Sequence, residues 1–248
     1  MKAEVVGSKM LVFFLAVLST AFQYSIAQIT EGRVVYERRT NLEKRYKGID
    51  IQRWSRGADL KTPKLDEFEL IFNDSISIFR PIESDVPDPR SWFTMRNITF
   101  QNLNTNERKQ EFSFFGTTVL LKDTLRQRTW RMTESTREIA GYNCRQAVWE
   151  ANDTIRIYAW YAEELISTSG PETFNGLPGV ILGLAIEDGG VVYFAKTVER
   201  FSDEIEKMAP KGRPKDWYTE ESLRALVEER FSSFGSTMRP FMMDVFIW

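Results

Sequence analysis

The sequence predicts a mainly β protein: an antiparallel curved sheet or partly closed barrel, followed by one C-terminal amphipathic helix. Three observations predict it. Short runs rich in β-branched and aromatic residues are separated by turn residues at Asn73-Asp74, Asn152-Asp153 and Asp188-Gly189-Gly190. No apolar repeat of helical period occurs before Asp216. Between Asp216 and Phe234 such a repeat does occur, with Leu223, Leu226, Val227, Phe231 and Phe234 on one stripe.

In chain order, Gly32 to Arg39 reads as the first strand, and the alternation in Ile49 to Trp54 reads as a second, half-buried one. Gly57 to Lys64 is loop. Glu67 to Phe72 and Ser75 to Arg80 form a hairpin across Asn73-Asp74, two residue types that tolerate left-handed backbone. Pro81 to Arg90, with three prolines and three acids, is a solvated acidic loop. Trp92 to Phe100 and Gln110 to Phe115 form the next pair, followed by Thr117 to Lys122 and the polar strand Trp130 to Arg137.

Cys144 to Ala151 and Thr154 to Tyr161 give the strongest hairpin signal. On its second strand Ile155, Ile157, Ala159 and Tyr161 share one face, and Arg156, Tyr158 and Trp160 the other. An arginine between aromatics there is placed to stack on them. Val180 to Glu187 and Val191 to Arg200 form the last hairpin. Successive hairpins on this scale require a sheet that curls, splits or closes.

The stretch Pro171 to Leu182 organises this chain. Gly176 and Gly179 flank Leu177 and Pro178, which sets a stiff bend with Leu177 pointing into the core. Val180 to Ile186 is almost wholly apolar, so both faces of that strand are expected to be covered. The expectation is that this corner is architecture and performs no chemistry.

At the N-terminus, Lys2 and Lys9, the apolar run Met10 to Val17 and Ser25-Ile-Ala27 have the form of an export signal cleaved after about Ala27. The apolar run is shorter than the roughly 20 residues a spanning helix needs. The expected organisation is a signal peptide over 1–27, a β-rich domain over 28–208, and a linker, helix and apolar tail over 209–248. No transmembrane segment is expected after cleavage. A net charge of −2 gives no nucleic-acid surface.

The chain has no histidine and one cysteine, Cys144. That excludes a Ser-His-Asp triad, a Cys-His dyad, a His-ligated zinc and an internal disulfide. Cys144, with no activating partner in the sequence, is expected to be a buried structural residue. No metal and no cofactor are expected. Adjacent carboxylates at Glu163-Glu164 and Glu187-Asp188 point to opposite faces of a strand and do not converge by themselves.

The block from Trp130 to Arg200 resembles the GLPGLI family of exported Bacteroidota proteins. Asn175-Gly-Leu-Pro-Gly-Val-Ile-Leu182 carries the signature, with Val180 where the family name has Leu. Ile139-Ala-Gly-Tyr-Asn-Cys144, Tyr158-Ala-Trp-Tyr161, Gly170-Pro171 and Phe174 match its other segments in order. The resemblance implies a periplasmic, envelope-related protein without an assigned activity, whose genes often lie near those for TonB-dependent outer-membrane transporters.

These readings make the protein a non-catalytic periplasmic binding or adaptor protein, holding an apolar ligand or an outer-membrane protein partner. The expected contact residues are Trp149, Tyr158, Trp160, Phe174 and Leu177, with Phe241 and Trp248 of the apolar tail. Gly176, Pro178 and Gly179 are the structural turn, and no residue is assigned a catalytic role. The rival readings are a carboxylate-based enzyme and a structural envelope component. Acidic side chains converging in one cleft would favour the enzyme; an apolar groove would favour binding.

Overall fold

The computed structural model describes residues 28–55, 57–114, 117–153 and 155–231. The expected export signal, Phe234, Phe241 and Trp248 lie outside them. Within the described residues, β1 (Gly32–Thr40), β2 (Lys64–Phe72), β3 (Ile76–Pro81), β4 (Ile98–Asn102), β5 (Glu107–Phe114) and β6 (Thr117–Thr124) form one meander. A second meander contains β7 (Arg131–Ile139), β8 (Tyr142–Asn152), β9 (Ile155–Ala162), β10 (Val180–Ile186) and β11 (Val191–Glu199). β11 pairs back onto β1, antiparallel, and merges the two into one sheet. The short strand β12 (Trp217–Tyr218) adds in parallel at the β6 edge. The sheet is curved and does not close into a barrel, since β7 and β12 are its two edges. Register shifts at Val35/Tyr36, Ile181/Gly183, Met132/Thr136 and Glu150/Asn152 mark bulges, which increase local twist.

Alternation decides which side chains fill the inner face. In β1, Val34, Tyr36, Arg38 and Thr40 are all buried there. Paired with them in β2 are Leu70, Phe68, Asp66 and Lys64. The apolar members join Phe79, Tyr161, Phe174, Leu177 and Leu184 in the main core. On the outer face, Ile71, Ile76, Ile78 and Phe100 are covered by the short helix α2 (Ile205–Met208) through Ile205. β10 is buried on both faces, as its continuous apolar run requires.

The helix α3 (Glu220–Phe231) lays Leu223 and Val227 against Phe112, Val119 and Leu121 of β5 and β6. It begins four residues later than Asp216 because Trp217 and Tyr218 pair with Leu120 and Leu121. Two other sequence expectations are corrected. Ile49 to Trp54 is not a strand: Ile51–Trp54 is a 3₁₀ turn. Ile51 packs with Leu42 and Tyr46 of the α1 region (Leu42–Arg45), and with Leu60 and Phe93, so a separate small core overrides the alternation. Trp92 to Phe100 is a strand only from Ile98, because Ser91–Phe93 turns to place Phe93 in that same core. No helix among the described residues is long and apolar enough to cross a membrane.

Candidate functional site

The segment between β9 and β10 crosses the inner face and stitches the two meanders together. Its own frame is a Ser169–Asn175 bridge, with Gly176 N–H donating to the Thr168 carbonyl at 2.9 Å and Ile181 N–H to the Ser169 carbonyl at 3.0 Å. Leu177 is fully buried in the main core, while Gly176 and Pro178 face outward. Gly179 has φ +151°, and a Cβ there would sit 2.1 Å from the Ala162 carbonyl oxygen, so only glycine fits.

The leading half of the segment is different. Glu172 has φ +55°, a left-handed conformation that is uncommon outside glycine. Its carboxylate is buried and accepts from the Tyr193 hydroxyl of β11 at 2.7 Å and from Asn97 Nδ2 at 3.3 Å. Arg38 of β1 lies 3.9 Å away. The backbone carbonyl of Glu172 accepts from Gln101 of β4 at 3.4 Å, and Asn175 Nδ2 donates to the Gln101 side chain at 2.7 Å. The loop thus bonds to β1, β4 and β11 at once.

Arg38 is the hub beneath it. It donates to Asp66 at 2.7 Å and to the Met95 carbonyl at 2.6 Å, and its guanidinium lies over the Phe68 ring. Asp66 also accepts from Lys64 and, at 3.2 Å, from the Thr94 hydroxyl. A cavity of about 40 Å³ opens among Arg38, Arg45, Tyr46, Asn97, Glu172 and Tyr193. That admits water-sized guests and falls far below the roughly 300 Å³ at which small-molecule pockets begin. Arg38 Nε and Asn97 Oδ1 are buried without a hydrogen-bond partner.

The electrostatics separate the two acids. Burial raises the Glu172 carboxyl, and Arg38, Tyr193 and Asn97 only partly offset it. Burial also acts to raise Asp66, but Arg38 and Lys64 outweigh it and hold that carboxyl below its usual range. Tyr193 is pushed well up, first by burial and then by the Glu172 charge. The expectation of an inert corner is therefore corrected in part. Leu177 and Val180 to Leu182 are core, but Glu172 lines a small cavity that Arg38, Arg45 and Tyr193 also line. The two acids that approach Arg38 are Glu172 and Asp66, while the adjacent-acid pairs lie elsewhere. Glu163 bonds the exposed Arg145, and Glu187 bonds the exposed Arg156.

The predicted contact residues divide between two places. Trp149 and Phe174 meet on the inner side, with ring centroids 6.0 Å apart, and Trp130 joins both. Trp130 Nε1 donates to the Asn175 carbonyl at 3.0 Å. Arg128 lies over Phe174 at 4.1 Å and donates to the Thr173 carbonyl and hydroxyl. Phe174 is fully buried. Tyr158 and Trp160 stack on the opposite face of β9 at 6.4 Å, with Phe194 of β11 beside Trp160. The arginine stacked there is Arg137, 5.5 Å from Trp160 and 5.0 Å from Phe194. Arg156 instead pairs with Glu150 and Glu187, which draw it away from the rings. Cys144 is buried, and burial followed by the Glu164 charge pushes its thiol up to about 12. No group of three or more metal-ligating side chains converges among the described residues.

Sequence reading missed Arg38, Asp66, Asn97 and Tyr193. The signal that could have found them is register. Arg38 falls two residues after Tyr36 and Asp66 two before Phe68, so alternation sends both charges to the apolar face.

The family profile "Protein of unknown function (Porph_ging)" matches residues 149–183, the span from Trp149 through β9 and the crossing segment into β10. No curated protein matches the chain. Two solved structures of PNGF-II, in space groups P21 and C2, share the fold. Their TM-scores are 0.55 and 0.53 at 16% and 17% identity. The alignments cover 79% and 78% of this chain and 32% and 31% of those chains. This chain therefore matches about a third of their length, and identity this low carries the fold alone.

Proposed function

We propose that the protein is a non-catalytic binding or adaptor protein of the cell envelope, exported to the periplasm. It docks an outer-membrane protein partner, of the TonB-dependent transporter type, through the outer face of β9 and β11. The observation that carries this reading is the half-exposed row Tyr158, Trp160 and Phe194 with Arg137 stacked on it. Tyrosine, tryptophan and arginine are the residue types that dominate interface energetics. The described cavity admits only water-sized guests, which weighs for a protein partner over an apolar ligand. Phe241 and Trp248 are proposed as a second contact on the same partner.

The experiment is site-specific photo-crosslinking from position 160 in the native envelope, read by mass spectrometry. The expected product joins the protein to an outer-membrane transporter. It disappears in Tyr158→Ala/Phe194→Ala and weakens when 238–248 is deleted. A folded protein that gives no such product, or one unchanged by the double substitution, defeats the reading.

A second reading has one specific observation in its favour. Glu172 and Asp66 approach the same arginine beside a cavity, which is what a carboxylate-based enzyme would require. Against it, Asp66 is held by Arg38 and Lys64, and Glu172 by Tyr193 and Asn97. Turnover of any substrate that vanishes in a folded Glu172→Gln variant would restore it.

A further inference from the structure

A second buried polar cluster lies at the far end of the sheet. The connection from β6 to β7 carries Arg126 and Arg128 past Arg108 of β5 and the first turn of α3. Glu220, the first residue of α3, accepts from Arg108 at 2.9 Å, from Arg126 at 3.1 Å and from Arg224 at 3.0 Å. Its backbone N–H donates to Asp123 at 2.8 Å. Burial alone would raise the Glu220 carboxyl, but Arg126, Arg108 and Arg224 hold it at about 2.

Arg108 is the decisive member. Its side chain is 1% exposed, yet Nε and Nη1 have no hydrogen-bond partner; only Nη2 is bonded, to Glu220. The Nε of Arg128 is in the same condition, while its two terminal nitrogens are fixed on Thr173. Burial, and then repulsion from Arg126 and Arg108, pushes Arg128 well below the arginine range. Burying a guanidinium with donors unpaired is costly. The ordinary remedy is an anion with acceptor oxygens.

We propose that this cluster binds a small oxyanion, a carboxylate or phosphate group, held by Arg108 and Arg128, with the Glu220 carboxylate as its competitor at the rim. Guanidinium forks match both groups in geometry and bond them strongly. The N-terminus of α3 adds a field that favours negative charge. Glu220 and Arg224, 23% and 40% exposed, give the site an opening to solvent. This inference stands independently of the docking face on β9 and β11.

The test is calorimetric titration and thermal unfolding of the full chain with inorganic phosphate and, separately, acetate, at an ionic strength fixed with chloride. One saturable site is expected. The anion that raises the unfolding midpoint beyond chloride identifies its source as phosphate or carboxylate. Glu220→Gln removes the competitor and is expected to tighten binding about tenfold, the worth of a charge-assisted bond. Arg108→Gln is expected to weaken it by at least about tenfold on the same grounds. Should Arg108→Gln not fold, Arg128→Lys keeps the charge, loses the fork, and is expected to weaken binding as well. Failure of both anions to act beyond chloride in folded wild-type and Glu220→Gln proteins overturns the proposal.

Discussion

The Tyr193 hydroxyl donates a 2.7 Å hydrogen bond to the Glu172 carboxylate, and both side chains are buried. Through that contact the second meander holds the crossing segment that also bonds Asn97 and Gln101 of the first. Removing the hydroxyl leaves an acceptor short of a donor in a low-dielectric site. Tyr193→Phe is therefore expected to cost about 1–3 kcal/mol of stability. Urea unfolding measures it, and a change within error would show that the bond contributes nothing.

Gly179 and Gly48 make a controlled pair. Both have positive φ, but a Cβ at Gly179 meets the Ala162 carbonyl at 2.1 Å, and one at Gly48 meets nothing within 4 Å. Gly48→Ala is expected to cost about 1 kcal/mol, the backbone strain alone. Gly179→Ala adds a clash with fixed backbone and is expected to cost at least about 3 kcal/mol, or to prevent folding. Equal effects in chemical denaturation would contradict the tight seat of the turn on β9.

Leu177 is fully buried in the main core. Leu177→Ala is expected to destabilise by about 2–5 kcal/mol through lost transfer energy and the cavity left behind. Leu177→Met, nearly equal in volume, is expected to cost less than about 1.5 kcal/mol.

The acid limb of stability should carry the mark of Glu220. Its carboxyl titrates near 4.5 when unexceptional and at about 2 in the folded protein. As pH falls, the unfolded chain takes up the proton first. The stabilisation is full above about 4.5 and is lost progressively toward pH 2. In Glu220→Gln, unfolding free energy measured between pH 5 and pH 2.5 is expected to fall less steeply than in the wild type. An identical slope would mean that the three arginines do not act on this carboxyl.

Cys144 is buried with its thiol pushed up to about 12. Reaction with a thiol reagent at pH 8 is expected to be negligible in the native protein and complete in denaturant. Rapid native labelling would show that the strand carrying Cys144 opens locally.

Strand placement was legible where alternation and turn residues agreed. The hairpin of β8 and β9 shows this: Ile157, Ala159 and Tyr161 share the buried face as the sequence predicts, and the turn falls one residue later than expected, since Asn152 still pairs with Ile155. The reading failed at Ile49–Trp54, where an alternating pattern serves a small local core instead of a sheet. It failed more broadly at the polar cluster. Arg38 and Glu172 are 134 positions apart in the chain, and no local pattern links them. Only the β1–β11 pairing brings them together, and that pairing is a property of topology. The fully buried guanidinium of Arg108 lay equally out of reach, since a strand reading Glu-Arg-Lys-Gln looks solvent-exposed.

The merging of β11 with β1 has a kinetic consequence. Elsewhere in the sheet, every antiparallel neighbour is also the next strand in the chain, and the longest of those connections, from β1 to β2, is the 23 residues 41–63. The seam instead joins residues as far apart as Arg33 and Glu199, 166 positions along the chain. The entropy of closing so long a loop makes this the slowest ladder to nucleate. Either run of hairpins can assemble first, but neither buries its share of the interior until the seam forms. Substitutions along it, such as Val34→Ala, should therefore accelerate unfolding far more than they retard refolding, which places the seam on the native side of the rate-limiting barrier.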